Sequence, residues 1–205
     1  MDELDRLCER LLGNRAAAVE AAREARARGG GDRVGSLRAA LEECRDRAGA
    51  PSGEAASAAP SGPAGATGGA LGPDLAAAVS EELARACTGL EALDREALAL
   101  RDLLGLSHEE IAAVLGVRTG SVAVLLARAR VALRERLRGP GEPQPDCAER
   151  ERALAGIERR RDGLSLTAPE EDWLIEHLSR CRGCAQAHAA VLEAAACYAT
   201  WDAAA

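Results

Sequence analysis

One histidine and two cysteines near the carboxyl end form the sharpest chemical pattern in the sequence. His177 precedes Cys181 by four positions, and Cys181 precedes Cys184 by three. Side chains four positions apart share one face of a helix, and a Cys-x-x-Cys turn brings a second sulfur back to the same point. Cys147, at the start of the preceding predicted helix, is the best candidate for a fourth ligand.

Three thiolates and one imidazole at this spacing favour Zn²⁺, which prefers soft sulfur and nitrogen ligands in a tetrahedral arrangement. Four protein ligands leave no open coordination position for water or substrate. We therefore predict a structural Zn²⁺ site, and not a hydrolytic one, at Cys147, His177, Cys181 and Cys184. The remaining cysteines are expected to be small buried side chains and His108 to be solvated; these cysteines are Cys8, Cys44, Cys87 and Cys197.

Helices are the elements that must position these ligands, because the composition favours an all-α fold. The sequence has no Phe, and its aromatic residues are Trp173, Tyr198 and Trp201, so residues 1–172 must pack on aliphatic side chains alone. Strands favour β-branched and aromatic residues. Apolar residues instead recur at helical spacing along the chain. We predict small helical segments joined by a flexible linker.

Two segments rich in small residues and proline divide the chain. Residues 50–73 carry almost no large apolar side chain, which predicts a flexible linker because such a segment cannot offset its chain entropy. Residues 139–146 form a second, Pro- and Gly-rich break that ends the preceding helix. Three helical parts are predicted between these breaks: 1–49, 74–138 and 147–205.

Charge is distributed unevenly along the chain. The net charge of −7 argues against a surface that binds nucleic acid everywhere. Residues 118–138 are strongly basic, whereas residues 147–205 hold more acids than arginines. No apolar run reaches the roughly 20 residues needed to span a bilayer, and the amino terminus is not a signal peptide. The chain is therefore expected in the cytoplasm, without a membrane partner.

The middle part is predicted to contain two helices joined by a short turn. Ser107 and Glu110 have the spacing of a capping box at the start of the first helix, and Gly116 can end that helix in the left-handed conformation. Thr119 or Ser121 can cap the second helix. Two helices around such a turn form the helix-turn-helix pattern of many DNA-binding proteins.

The sequence LSHEEIAAVLGVRTGSVAVLLARARVALRERL, residues 106–137, resembles the DNA-binding region 4 of extracytoplasmic-function sigma factors. Residues 10–25 and 36–48 resemble parts of that family's region 2, which binds the RNA polymerase core. The resemblance implies a transcription regulator whose partner is RNA polymerase core or another transcription factor. Candidate phosphate contacts on the helix-turn-helix are Arg118, Thr119, Ser121, Arg128 and Arg130.

Two departures from that family predict weakened DNA binding. The region 2-like segment has no aromatic side chain that could stack on unpaired bases. On the predicted recognition helix, the family's polar positions are occupied by Ala123, Val124 and Leu125, which cannot hydrogen-bond a base edge. The alternative prediction is an adaptor that binds RNA polymerase or another regulator through this apolar face and does not read DNA.

The carboxyl-terminal part resembles the zinc-binding anti-sigma domain, through Cys147 and the run DGLSLTAPEEDWLIEHLSRCRGC at residues 162–184. That family clamps a sigma factor and blocks its polymerase-binding surface. The resemblance implies a fused domain that tunes the sigma-like part, and we expect acidic residues 170–172 to lie near the Arg-rich end of the helix-turn-helix. The sequence has no Gly-rich phosphate loop and no nucleophile–base pair, so we predict that the protein is not an enzyme.

Overall fold

The structure is a computed structural model that describes residues 2–49 and 73–201. Its described residues form ten α-helices and one π-helical turn and contain no strand, which confirms the predicted all-α class. The helices are α1 (Glu3–Leu12), α2 (Arg15–Arg28), α3 (Arg33–Gly49), α4 (Pro73–Thr88), α5 (Ala92–Leu98), α6 (His108–Leu115), α7 (Thr119–Arg138), α8 (Arg150–Arg161), α9 (Ala168–Arg180) and α10 (Arg182–Trp201). The predicted linker lies outside the described residues except for its last position, Pro73, which begins α4.

A side-chain cap fixes where α6 begins. The Ser107 hydroxyl accepts a hydrogen bond from the Glu110 N–H, and the Glu110 carboxylate accepts one from the Ser107 N–H, which confirms the predicted capping box of α6. Gly116 ends α6 with φ of 70°, as predicted. The expected cap of α7 is wrong: its N-cap residue is Arg118, and no side chain caps it.

The first three helices pack through an alanine face. On α2 the buried residues are all alanine, at helical spacing: Ala18, Ala21, Ala22 and Ala25. Such small side chains let α1 and α3 approach closely, which is how a core without Phe is filled here. Cys8 of α1 and Cys44 of α3 are both buried in it, and the hydrogen bond from the Cys44 thiol lowers the pKa of Cys8.

One hydrophobic core connects all three predicted parts of the chain. It contains Leu7 and Leu41 from α1 and α3, Leu126 from α7 and Tyr198 from α10. Polar contacts reinforce it, because Arg38 of α3 donates a hydrogen bond of 2.5 Å to the carbonyl oxygen of Ala113 on α6. The helices before the linker therefore pack directly on the helix-turn-helix. A second, smaller core lies between α7 and the last three helices; its buried residues are Ala127, Ala153, Leu154, Ile157, Leu174, Cys184, Ala187 and Val191.

A π-helical turn, Ala99–Leu103, continues α5 toward the helix-turn-helix. The extra residue of this turn is visible in a hydrogen bond of 3.2 Å from the Leu104 N–H to the Ala99 carbonyl oxygen. These two residues are five positions apart, whereas the partners in an α-helix are four apart. The turn carries Arg101 and Asp102, both of which form ion pairs with the surrounding helices. Among the described residues, no single helix is long and apolar enough to cross a membrane; α6 and α7 together meet that criterion only as a pair bent by 91°.

Candidate metal centre and helix-turn-helix surface

The structure brings the four predicted metal ligands together at the meeting point of the last three helices. Cys147 lies just before α8, and His177 lies in the last turn of α9. Cys181 is the single extended residue between α9 and α10, and Cys184 lies in the first turn of α10. One ligand atom from each of the four residues lies within 4.8 Å of all the others. The Cys147 Sγ and His177 Nε2 atoms are 3.5 Å apart.

The local backbone prepares one of these sulfurs for metal binding. The Cys184 N–H, at the amino end of α10, donates a hydrogen bond to Cys181, and this bond lowers the pKa of the Cys181 thiol. Burial raises the pKa of Cys184 to about 12, and the neighbouring thiols of Cys181 and Cys147 act in the same direction. A bound cation would favour ionisation of these neighbouring thiols, because the thiolate is the form that ligates a metal.

The spacing of the four atoms fits one metal ion. In a tetrahedral zinc site, metal–sulfur bonds of about 2.3 Å place neighbouring ligand atoms roughly 3.5–4 Å apart. The observed group, all within 4.8 Å, needs only a small contraction to reach that geometry. The cluster can therefore hold a metal ion, with all four ligands supplied by the chain.

The helix-turn-helix consists of α6 and α7, which cross at 91° around Gly116. Its two helices share Ile111, Val114, Val122 and Leu126 as fully buried contacts. These apolar residues lie at helical spacing, so the predicted pattern and the observed core agree.

The five predicted phosphate contacts do not share one environment. Arg118, Thr119 and Arg128 are exposed, and Ser121 is half-buried at the beginning of α7. Arg130 is fully buried, with 0% exposure. The first four residues remain candidates for contact with a ligand, whereas Arg130 has no surface with which to reach a phosphate in this structure.

One half-buried and one buried carboxylate hold Arg130. Its Nη2 lies 2.7 and 2.8 Å from the two carboxylate oxygens of Asp102, in the π turn. Its Nη1 lies 2.5 Å from Oε1 of Glu158, on α8. Burial raises the pKa of Glu158, and the Arg130 charge opposes that rise. The prediction of a phosphate contact at Arg130 is therefore corrected: this arginine is an internal ion-pair partner between the helix-turn-helix and α8.

Helical periodicity contains a signal for this burial. Arg130 lies four positions after Leu126 and three before Leu133, and both leucines are fully buried on the inner face of α7. Arg128 is two positions away and points outward. Both arginines were predicted to contact phosphates, but only Arg128 lies on the exposed face of α7.

A second charged group extends the same interface. Asp162, at the end of α8, accepts contacts from His108 Nε2 at 2.9 Å and from Arg101 Nε at 3.0 Å. Burial of Asp162 opposes its ionisation, but His108, Arg101 and Arg161 hold its pKa below the ordinary value. The expectation that His108 is solvated is wrong, because its side chain is buried and its Nε2 contacts Asp162 at the end of α8.

The contact between the acidic segment and the Arg-rich helix differs from the one expected. Glu170 pairs with Arg159, and Glu171 lies near Arg160, so these acids bind α8 and not α7. The Arg-rich end of α7 pairs instead with Glu193 of α10; the distances are 3.4 Å from Arg134 Nε and 3.1 Å from Arg138 Nε.

Comparison with known protein families identifies one part of the chain. Residues 80–133, which include the whole π turn and most of α7, match the family model of Sigma-70, region 4. This part of the chain is thus similar to a sigma region 4 domain. Domains of this family are non-enzymatic and interact with RNA polymerase core and promoter DNA. Comparisons of the chain with curated proteins and with solved structures found no significant match.

Proposed function

We propose that this protein is a sigma-factor-like transcription regulator in which α8–α10, held by a structural Zn²⁺, tune the access of the helix-turn-helix to RNA polymerase or promoter DNA. The three thiols and one imidazole within 4.8 Å support zinc as the metal, since this donor set is soft and closed. Zinc at Cys147, His177, Cys181 and Cys184 would join the three helices and supply folding free energy.

The observation that carries the proposal is the burial of the recognition helix under α8. Ala127 of α7 belongs to the same small core as Leu154 and Ile157 of α8. Arg130 obtains one of its two counter-charges from Glu158. Removal of α8 would therefore uncover Ala127 and leave Arg130 with Asp102 alone, so the state of the helix-turn-helix depends on the helices that hold the metal.

An exposed contact offers a way to loosen this interface without unfolding it. In the full chain, Glu193→Gln removes the pairs with both Arg134 and Arg138. Exposed pairs each contribute at most about 1 kcal/mol, or about 2 kcal/mol for the two together, so we expect capture of RNA polymerase core, or of a promoter fragment, to rise by at most about 30-fold. The matched control is Glu176→Gln, which removes a pair within α9. Equal capture by both variants and the unmodified chain would reject a tuning role.

DNA binding by this protein is expected to be weak and governed by phosphate contacts. Replacement of both Arg118 and Arg128 with alanine should reduce the slope of log binding constant against log salt by about two, because each phosphate contact contributes about 0.9 to that slope. Replacement of Arg15 and Arg23, exposed on α2, makes the same change in net charge and serves as the control. Strong, base-specific protection of DNA in a footprinting experiment would contradict the prediction that this protein recognises bases weakly.

A specific observation also favours the second candidate function, an adaptor that binds RNA polymerase or another regulator and does not read DNA. Val124 and Leu125 are only half-buried on α7, so the recognition helix presents apolar surface where a DNA reader presents polar groups. A chain that captures RNA polymerase core or another regulator but retains no DNA even at low salt would be such an adaptor.

A further inference from the structure

A stack of flat side chains stands next to the candidate metal centre. The rings of Trp173 and His177, one turn apart on α9, are nearly parallel, with centroids 4.9 Å apart and an angle of 16° between their planes. The guanidinium carbon of Arg152, on α8, lies 3.8 Å from the centroid of the same indole. Three side chains from two helices thus form a connected series that ends at a candidate ligand.

The indole itself is held in place. Trp173 is half-buried and packs against the small core between α7 and the last three helices. Its contact with the Arg152 cation is of the cation–π type, which is strongest on tryptophan. Two helices therefore restrict the indole, so its face is a fixed surface for the neighbouring imidazole.

The imidazole needs such a surface. Histidine ligands usually donate the second ring N–H to a carboxylate, carbonyl or water, and this bond fixes the ring plane. The Nε2 atom of His177 faces Cys147, and among the residues that the structure describes no hydrogen bond is formed by its Nδ1 atom. Stacking on Trp173 is the contact made with the face of the ring, and it limits rotation of the imidazole plane.

We propose that Trp173 is a positioning residue for the metal centre, which holds the His177 imidazole plane so that Nε2 points at the three cysteine sulfurs, and that Arg152 keeps the indole in that position. The inference rests on the proposed metal site. Trp173 does not ligate the metal; it orients the ring through a flat face against which the imidazole stacks. Without that face the His177 ring could rotate, and metal binding would then have to fix its orientation at a cost in entropy.

The test is cobalt binding by the full chain, since tetrahedral Co²⁺ with thiolate ligands has visible absorption bands that report both affinity and ligand geometry. Trp173→Leu keeps apolar volume but removes the aromatic face, and Trp173→Phe keeps a smaller face. Loss of an orienting partner typically weakens metal binding 10- to 100-fold, so we expect Trp173→Leu to bind Co²⁺ about 10-fold more weakly, with altered bands. Trp173→Phe should recover most of the affinity, and Arg152→Gln should lie between the two.

Ile175→Ala is the matched control, because Ile175 is on the same helix and is exposed. Helical circular dichroism of each variant at saturating Co²⁺ separates loss of folding from loss of positioning. The positioning role would be overturned if Trp173→Leu and Trp173→Phe bound Co²⁺ with equal affinity. This holds whether that affinity equals that of the unmodified chain or is lower. Failure of the unmodified chain to bind Co²⁺ would instead overturn the metal site itself.

Discussion

Replacement of Cys181 with serine should abolish metal binding and unfold α8, α9 and the beginning of α10. The core that these helices share with α7 has eight buried residues, of which three are alanines and one is the ligand Cys184 itself, so burial of apolar surface alone is small there. Apparent binding free energies at structural zinc sites are about 10–16 kcal/mol and appear directly as folding free energy. We expect about one Zn²⁺ per purified reduced chain, and loss of both zinc and part of the helical signal in Cys181→Ser and in His177→Ala.

The control for this prediction is Cys197→Ser, which changes a half-buried cysteine of α10 outside the ligand group. It should keep the metal and the helical spectrum. Metal analysis, together with circular dichroism before and after addition of a chelator, makes the measurement. The prediction would be contradicted if the chain kept the same circular dichroism spectrum after the chelator had removed the metal.

The second large effect is expected at Arg130. Replacement of Glu158 with alanine leaves a fully buried guanidinium with one of its two counter-charges missing, and breaking a buried pair in this way costs about 3–5 kcal/mol. The free energy of unfolding of the metal-loaded full chain should fall by that amount in chemical denaturation. Arg128→Ala, two positions from Arg130 but exposed, should change it by less than about 0.5 kcal/mol.

A combined variant separates charge from packing at the same place. Replacement of Arg130 with Met and of Glu158 with Leu removes both charges and keeps apolar volume, and such exchanges are often neutral. Recovery of stability in the double variant would show that the loss in Glu158→Ala comes from an uncompensated charge. Similar unfolding free energies for Glu158→Ala and the unmodified chain would mean that water reaches Arg130 in solution.

Local sequence patterns predicted the features that depend on near neighbours in the chain. The capping box at Ser107, the end of α6 at Gly116 and the alignment of His177 with Cys181 all depend on residues three to nine positions apart. Helix geometry alone relates such positions, so their spacing was sufficient. The fourth ligand, Cys147, required a guess about where a separate helix begins, and the structure brings it to the others.

The features that sequence reasoning missed depend on partners far along the chain. Arg130 is buried because Glu158 arrives from α8, and His108 is covered because Asp162 arrives from the end of the same helix. Composition gives no indication of which helix will cover which face. The same limit explains why acids 170–172 were expected at the wrong arginines, since the choice between α7 and α8 is a matter of tertiary packing.

The π turn gives the chain a register that regular α-helical winding of the same residues would lose. Because the turn accommodates one residue more than an α-helical turn, winding Ala99–Leu103 as regular α-helix would rotate the residues after it by about 100° relative to α5, the angle that one residue occupies around an α-helix. Deletion of one residue within the turn would instead restore an α-helical turn with nearly the same orientation of the flanking residues. The inserted residue thus lets Arg101 and Asp102, which are neighbours in the chain, reach Asp162 and Arg130 from one turn.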